Sequence, residues 1–133
     1  MNDVPNRYGG TLPDHLGLTV DQAGPGRCVG RFTVQQHHMA PNGFLHAASV
    51  VALADSCCGL GCVANLPEGA SSFTTVELKS NFLGTARAGE VVCEARLIHG
   101  GRTTQVWDAE VNDAAGKLMA LFRCTQMILY PRA

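Results

Sequence analysis

Hydrophobic and polar residues alternate in the second half of the chain, which is the pattern of strands with one buried face. In residues 72–83, SFTTVELKSNFL, the positions expected to face the core are Thr74, Val76, Leu78 and Phe82. Their neighbours on the opposite face are Thr75, Glu77, Lys79 and Asn81. The segments EVVCEARLI and TTQVWDAEV alternate too, and a last strand runs from about Lys117 to Tyr130. The Gly-rich segments GTARAGE, HGGR and DAAGK suit hairpin turns, so we expect an antiparallel sheet.

The first half of the chain predicts a hairpin and one long helix. A short helical turn around LPDHLG precedes LTVDQA and CVGRFTVQ, which are joined at the turn Gly24-Pro25-Gly26. From about Leu45 to Leu60 the Ala and Leu residues favour a helix. Apolar residues surround this helix, so we expect it to be buried on nearly all sides. The predicted fold class is α+β: one domain, residues 1–133, with an antiparallel sheet of five or six strands wrapped around one long central apolar helix.

The charge balance argues against nucleic acid and membrane partners. The chain has 133 residues, 46% of them hydrophobic, and a formal net charge of -1. It therefore lacks the excess of basic residues that binds nucleic acid or an anionic membrane. The N-terminal MNDVPNRYGG has no apolar leader, and we find no apolar run of the 18 or so residues that a membrane helix needs. We expect a cytoplasmic protein that binds a small molecule or another protein.

The six cysteines are expected to be reduced core residues. They are Cys28, Cys57, Cys58, Cys62, Cys93 and Cys124, and they form no C-x-x-C motif. Free cysteine is among the residue types that are most often buried. A metal site formed by His37, His38 and the cysteines is the alternative, and the prediction is that no metal is bound.

Asp55 is the only formally charged residue between His38 and Cys62. An ionised carboxylate that is buried without partners costs several kcal/mol, so this residue needs an explanation. One explanation is structural, with Asp55 capping a helix end or bonding a nearby backbone N–H. The other is functional, with Asp55 acting as a general base or nucleophile in a dry cleft.

His46 lies nine positions before Asp55. On one ideal helix the two residues are half a turn out of alignment and about 13 Å apart along the axis, so they cannot act together within one chain. If they share a site, it lies between two subunits of at least a dimer. Otherwise His46 is a hydrogen-bonded structural residue.

The loop before the helix predicts a site for a developing negative charge. The segment APNGFLHAAS leads into the helix and leaves the first-turn N–H groups near Ala47 and Ala48 without intrahelical partners. Such N–H groups and the positive end of the helix dipole suit a carbonyl oxygen that gains charge during acyl transfer.

The pattern of Gly43, His46, Ala47, Ala48 and Asp55 resembles the hotdog-fold acyl-CoA thioesterases of the phenylacetate-pathway (PaaI) type. The similarity extends through most of the chain, including HLGLTVDQAGPGRCVGRFTV and TTVELKSNFLGTARAGE. This resemblance implies hydrolysis of an acyl-CoA thioester, with coenzyme A as part of the substrate and no other cofactor. It also implies a homodimer with a shared site, and tetramers are common in the family.

The resemblance also implies catalytic roles for four residues. Asp55 takes the position of the family's acid, as nucleophile or as base for water. The Ala47 N–H of the other subunit polarises the thioester carbonyl, and His46 helps to hold this loop and the substrate. Thr75 matches a position where the family often has a Ser or Thr that orients water or the acid.

A further set of residues is implied in substrate binding. Its members are Asn42, Gly43, Arg87, Gly100, Gly101, Arg102 and Thr103. The two arginines are candidates for the CoA phosphates. Two departures from the family pattern affect this set. Ala47-Ala48 replaces the usual Gly-Gly. Ala40 stands where an Asn or Gln is common, and Asn42, at a different position, is the candidate to replace the missing amide.

Two other functions remain open at this point. A hotdog hydratase or dehydratase would add water to an enoyl thioester, or remove it, without releasing thiol. A non-catalytic acyl-CoA binding module would bind without turnover, and Ala40 and the Ala47-Ala48 pair favour it. For a thioesterase, aromatic and medium-chain acyl groups are both open.

Overall fold

Six strands and one long helix make up the fold. The computed structural model describes residues 9–132, so most of the N-terminal segment considered above lies outside the described residues. The elements are α1 Leu12–His15, β1 Thr19–Gly24, β2 Arg27–Thr33, a 3₁₀ turn Gln36–His38, α2 Ala47–Ala64, β3 Ser72–Phe82, β4 Glu90–Gly100, β5 Thr104–Asn112 and β6 Leu118–Leu129. They confirm the predicted hairpin, the long helix and the four strands of the second half.

The strands form one sheet in the order β1-β2-β4-β5-β6-β3, and each neighbouring pair is antiparallel. The two edges of the sheet are therefore β1 and β3. α2 lies against one face of the sheet and contacts all six strands. The predicted α+β architecture is confirmed, and the number of strands is six.

Only one side of α2 is buried against the sheet. Its buried residues are Ser49, Val50, Leu53, Ala54, Cys57, Cys58, Gly61 and Cys62. They recur at intervals of three and four, which places them on one stripe of the helix. Asp55, Ser56, Gly59 and Leu60 lie on the other side and remain partly exposed. The expectation of burial on nearly all sides is therefore wrong for a single chain.

α2 has the length and composition of a membrane-spanning helix, in contrast to the expectation that no such run exists. Its 18 residues have a mean hydropathy of 1.7, and 56% of them are buried inside the fold. The contact with the sheet explains this composition, since a helix that packs on a sheet needs an apolar stripe.

The C-cap residue of α2 is Asn65, whose side chain joins the helix to the β1–β2 hairpin. Asn65 Nδ2 donates to the Gly61 and Gly24 carbonyls at 2.8 and 3.0 Å. Its Oδ1 accepts from the Gly26 N–H at 2.9 Å. These bonds give partners to backbone groups that a helix end and a tight turn would otherwise leave unpaired.

A bulge interrupts the alternation of β3. Thr75 pairs with Gln126 and Glu77 pairs with Thr125, so that Val76 is an extra residue in this strand. An extra residue interrupts the alternation, so that residues before and after it no longer follow one pattern of faces. Thr75 faces α2 because its partner Gln126 is fully buried on that side of the sheet. The predicted place of Thr75 on the opposite face is therefore wrong.

The remaining residues of the predicted core face of β3 are largely exposed. Thr74 pairs with Met127, which is 46% exposed, so the core position predicted for Thr74 is wrong. Val76, Leu78 and Phe82 are 54%, 43% and 46% exposed. β3 is an edge strand with a neighbour on one side only, which leaves these apolar side chains uncovered in a single chain.

Trp107 of β5 occupies the centre of the contact between α2 and the sheet. The ring is fully buried, and its Nε1 donates to Gln105 Oε1 at 2.8 Å. Gly61 of α2 provides the space for this ring, since a Cβ added at Gly61 would lie 2.5 Å from Trp107 Cη2. Helix and strand can approach this closely only because residue 61 has no side chain.

All six cysteines are free and buried, which confirms the prediction. Burial, with a smaller effect from Cys124, raises the pKa of the Cys62 thiol to about 11. The thiol is therefore protonated and unreactive at neutral pH.

Candidate active site

A tight turn presents the N-terminus of α2. The Ala40 N–H donates to the Phe44 carbonyl at 2.7 Å, and the Gly43 N–H donates to the Ala40 carbonyl at 3.0 Å. Gly43 has a φ of +87°, a conformation that glycine adopts without strain. Asn42 Oδ1 accepts from the Phe44 N–H at 3.1 Å, so the side chain proposed to replace the missing amide is used to stabilise this turn.

His46 is the N-cap residue of α2. Its Nδ1 accepts from the Ala48 N–H at 2.9 Å, and its carbonyl accepts from the Ser49 N–H at 2.9 Å. The proton of a neutral His46 ring therefore lies on Nε2, which has no partner among residues 9–132. The expectation that the Ala48 N–H is free is wrong. Within the described part of the chain, the Ala47 N–H remains as the first-turn donor without a hydrogen bond.

Asp55 lies in the middle of α2 on its partly exposed side. Its Oδ1 is buried and has no hydrogen-bond partner among the described residues. Burial raises the pKa of this carboxyl group. Asp55 neither caps the helix nor bonds a nearby N–H, so the structural explanation is wrong for the described chain.

An apolar cavity of about 230 Å³ opens beside Asp55. Its walls include Ser56, Gly59 and Leu60 of α2 and Phe73 of β3. A Cβ added at Gly59 would lie 3.1 Å from Phe73 Cζ, so the cavity owes part of its width to this glycine. The carboxylate thus meets an apolar groove that is open to solvent in one chain.

Thr75 lies two residues beyond Phe73 on the same side of β3, about 7 Å along the strand. Its Oγ1 donates to Gln126 Oε1 at 2.6 Å. Gln126 is fully buried, and its Nε2 has no partner within residues 9–132. Gln126 is not among the residues predicted from the sequence, although a glutamine at a core position of the last strand is a visible signal.

The structure places the candidate phosphate ligands at opposite ends of α2. The guanidinium carbon of Arg87 lies 5.2 Å from the centroid of the Phe44 ring, near the start of the helix.

Arg102 lies in the turn between β4 and β5. Its guanidinium carbon is 5.9 Å from the centroid of the Tyr130 ring, and the Tyr130 hydroxyl donates to the Arg102 carbonyl. The turn lies near the end of the helix, as the hydrogen bond from the neighbouring Gln105 side chain to the Asn65 carbonyl at 2.8 Å shows. The predicted binding residues of this segment are Gly100, Gly101, Arg102 and Thr103. A helix of 18 residues is about 27 Å long, so the two arginines do not meet within one chain.

The surface near Arg87 contains a second cavity, of about 470 Å³. Ala40 and Gly43 line it together with Gln36 and Arg87.

Within residues 9–132, no three His, Cys, Asp or Glu side chains are grouped so that they could hold a metal ion.

Comparison with known proteins identifies the family. The family model described as "Thioesterase superfamily" matches residues 42–120, which run from within the turn before α2 through β5 to the start of β6. A 1,4-dihydroxy-2-naphthoyl-CoA hydrolase of Listeria monocytogenes is 30% identical over 114 residues, 86% of this chain and 92% of the relative. The Escherichia coli protein of the same name is 30% identical over 122 residues, 90% of this chain and 88% of the relative.

Solved structures agree with this assignment. The crystal structure of a mutant of thioesterase PA1618 from Pseudomonas aeruginosa superimposes with a TM-score of 0.91 at 27% identity, over 98% of this chain and 96% of the other. Thioesterase HI1161 from Haemophilus influenzae gives a TM-score of 0.88 at 26% identity, over 98% and 92%. The chain therefore belongs to the thioesterase superfamily, as an enzyme with the hotdog fold.

Proposed function

We propose that this chain hydrolyses an acyl-CoA thioester to the free acid and CoA at the groove that contains Asp55. The observation that carries the proposal is the unpaired, buried Oδ1 of Asp55. A carboxylate in this state is available to act on water or substrate, and its raised pKa makes it a stronger base than an exposed one. Coenzyme A belongs to the substrate, and the proposed reaction uses no other cofactor.

The proposed reaction has two balanced versions. In the first, Asp55 removes a proton from water while the water oxygen bonds to the thioester carbon. In the second, the Asp55 carboxylate bonds to that carbon, and water then hydrolyses the resulting anhydride. In both versions the Ala47 N–H stabilises the oxyanion, the C–S bond breaks, and the CoA thiolate takes up a proton.

Isotope labelling distinguishes these versions. After a single turnover in H₂¹⁸O, an ¹⁸O atom in the Asp55 carboxyl group, detected by mass spectrometry of the peptide, identifies nucleophilic attack followed by addition of water to the Asp55 carbon of the anhydride. General-base catalysis leaves Asp55 unlabelled and places the ¹⁸O in the product acid. Hydrolysis of the anhydride at its acyl carbon gives the same labelling as general-base catalysis, so trapping of the anhydride with hydroxylamine separates these two cases.

The proposal requires a second copy of the chain. Asp55 lies nine positions beyond His46 on the same helix, too far for both to touch one thioester. The exposed apolar residues Val76 and Leu78 of edge strand β3, and the partly exposed side of α2, supply apolar surface for a partner. We therefore propose a homodimer in which Asp55 of one subunit faces His46 and Ala47 of the other. The tetramer that the resemblance implies remains a prediction.

Mixing two inactive variants tests the shared site. Asp55→Asn and His46→Ala homodimers each lack one half of every site, whereas the heterodimer assembles one intact site from its two wild-type halves. Unfolding and refolding them together in equal amounts is expected to restore about a quarter of wild-type activity. A site within one chain would give no recovery, and light scattering at twice or four times the 14.1 kDa chain mass checks the assembly.

The apolar groove beside Asp55 supports an acyl group that is aromatic or of medium length. The two naphthoyl-CoA hydrolases among the relatives favour aromatic groups. A panel of aromatic and aliphatic acyl-CoAs, assayed for thiol release, tests this directly, with kcat/KM of about 10⁴ M⁻¹ s⁻¹ or more expected for a preferred substrate. Tight binding without hydrolysis would instead indicate a binding module, and hydration of an enoyl-CoA without thiol release would indicate a hydratase.

A further inference from the structure

His38 links three segments of the chain around the start of α2. Its ring is 1% exposed and lies 4.3 Å from the Phe32 ring between centroids. Nδ1 accepts from the Gln35 N–H at 2.9 Å, and Nε2 pairs with the Leu16 carbonyl at 2.7 Å. Because Nδ1 is an acceptor, Nε2 carries the proton and donates it to Leu16. The ring thus joins the end of the α1 segment to the 3₁₀ turn.

The backbone carbonyl of His38 extends this connection to the active-site loop. It accepts from the His46 N–H at 3.0 Å and from Ser49 Oγ at 2.9 Å. Ser49 is itself buried, and its N–H donates to the His46 carbonyl at 2.9 Å. His46 is therefore held on both sides of its own residue, by bonds to its N–H and to its carbonyl. The direction of the next N–H along the chain, that of Ala47, follows from this arrangement.

The structure assigns to His38 the role of a positioning residue: its neutral ring fixes the carbonyl that holds His46 and so aims the Ala47 N–H at the thioester oxygen. The inference rests on the proposed role of Ala47. A donor must lie within a few tenths of an ångström of the developing oxyanion, and a misplacement of 1 Å can cost about 100-fold in rate. His38 itself does not touch the substrate.

The neutral state of His38 is required by its surroundings. A protonated ring would have N–H groups on both nitrogens, and the one on Nδ1 would face the Gln35 N–H instead of accepting from it. Burial lowers the pKa of His38; the Leu16 carbonyl opposes this shift, and the neighbouring His37 adds to it. The ring of His37 lies 4.3 Å from the ring of His38 between centroids, and the ring of His15 lies 6.3 Å from that of His37.

Three variants separate positioning from packing. His38→Leu removes both ring hydrogen bonds, whereas His38→Asn keeps an acceptor near the position of Nδ1. His37→Leu is the matched control, since this exposed histidine touches the His38 ring but makes no hydrogen bond to the loop. We expect kcat to fall about 10- to 100-fold in His38→Leu with a small change in KM, to recover in part in His38→Asn, and to stay near wild type in His37→Leu.

Hydrogen exchange of the His46 and Ser49 amides gives a second readout that needs no turnover. Both amides are expected to exchange faster in His38→Leu than in wild type or in His37→Leu. A folded His38→Leu with wild-type kcat, or with unchanged exchange at these amides, would overturn the inference. If His38→Leu does not fold, His38→Phe, which keeps a ring in this position and also removes both hydrogen bonds, is judged by the same two criteria. If wild type hydrolyses no acyl-CoA, the proposed function fails, and the exchange measurement alone decides the role of His38.

Discussion

Asp55→Asn should abolish most of the activity while it makes the protein more stable. The substitution keeps the shape of the side chain and removes the charge that the proposed reaction needs. A positioned base contributes about 10²- to 10⁴-fold to the rate, so we expect kcat to fall at least 100-fold. The assay is thiol release from the best acyl-CoA of the panel, with light scattering to verify that the oligomer is unchanged.

The gain in stability follows from the missing partner of Asp55. A buried polar group without a hydrogen bond costs about 1–3 kcal/mol, and more when it is charged. Asp55 remains partly exposed, and asparagine leaves an oxygen in the same place, so the low end of this range applies. We expect the free energy of unfolding to rise by about 1 kcal/mol, which corresponds to roughly 4 °C in Tm for a chain of this size.

The pH dependence of this gain has a defined sign. Burial raises the pKa of Asp55 in the folded state above its unfolded value. Between the two values the folded state binds more protons, so wild-type stability rises as the pH falls through this interval. Asparagine does not titrate. The difference in Tm between Asp55→Asn and wild type is therefore expected to be largest above the folded pKa and to shrink as the pH falls through it.

Asp108→Asn is the matched control. Asp108 lies on the outer side of the sheet and binds Arg123 through two hydrogen bonds of 2.5 and 2.8 Å. Loss of this ion pair should change stability little, since both side chains are exposed to solvent, and should leave kcat unchanged. If Asp55→Asn retains kcat within about threefold, Asp55 is neither the base nor the nucleophile of the reaction. If the substitution lowers Tm at neutral pH, Asp55 has a stabilising partner and the argument from its unpaired oxygen is refuted.

Three further predictions concern the cap, the core and the thiols. His46→Ala removes the acceptor of the Ala48 N–H and is expected to lower the free energy of unfolding by about 1 kcal/mol, as measured with urea, in addition to lowering kcat. An unchanged midpoint of urea unfolding would show that the cap is not used in solution. Gly61→Ala forces a methyl group against Trp107 and should destabilise the fold by about 1–3 kcal/mol. Calorimetry measures this, and an unchanged Tm would contradict the close contact. A thiol reagent should label none of the six cysteines in the native protein and all of them in guanidinium; rapid labelling of the native protein would disprove their burial.

The strands and the helix could be predicted because their periodicity is written in the sequence itself. The bulge at Val76 could not, since an extra residue in a strand changes neither composition nor length enough to be seen. For this reason strict alternation predicts the wrong face for Thr75, whereas the role implied for Thr75 rests on the resemblance to the family. The incomplete burial of α2 was missed because composition does not reveal which side of a helix a sheet covers.

The site residues could be predicted only as far as they share one segment. Asp55, His46 and Ala47 all belong to one helix and its first turn, so their order and spacing fix their separation. The capping of the Ala48 N–H depends on a side-chain rotamer, which no spacing determines. The opposite locations of Arg87 and Arg102 depend on the order of strands in the sheet, which periodicity does not specify.

The contact between Gly61 and Trp107 also constrains how this sequence can evolve. A larger residue at position 61 has no room while the indole is present, and a smaller residue at position 107 leaves a void while position 61 is glycine. Single substitutions at either site are therefore selected against, whereas paired exchanges can be neutral. Among homologues we expect the two positions to covary, with a side chain at position 61 accompanied by a smaller residue than tryptophan at position 107.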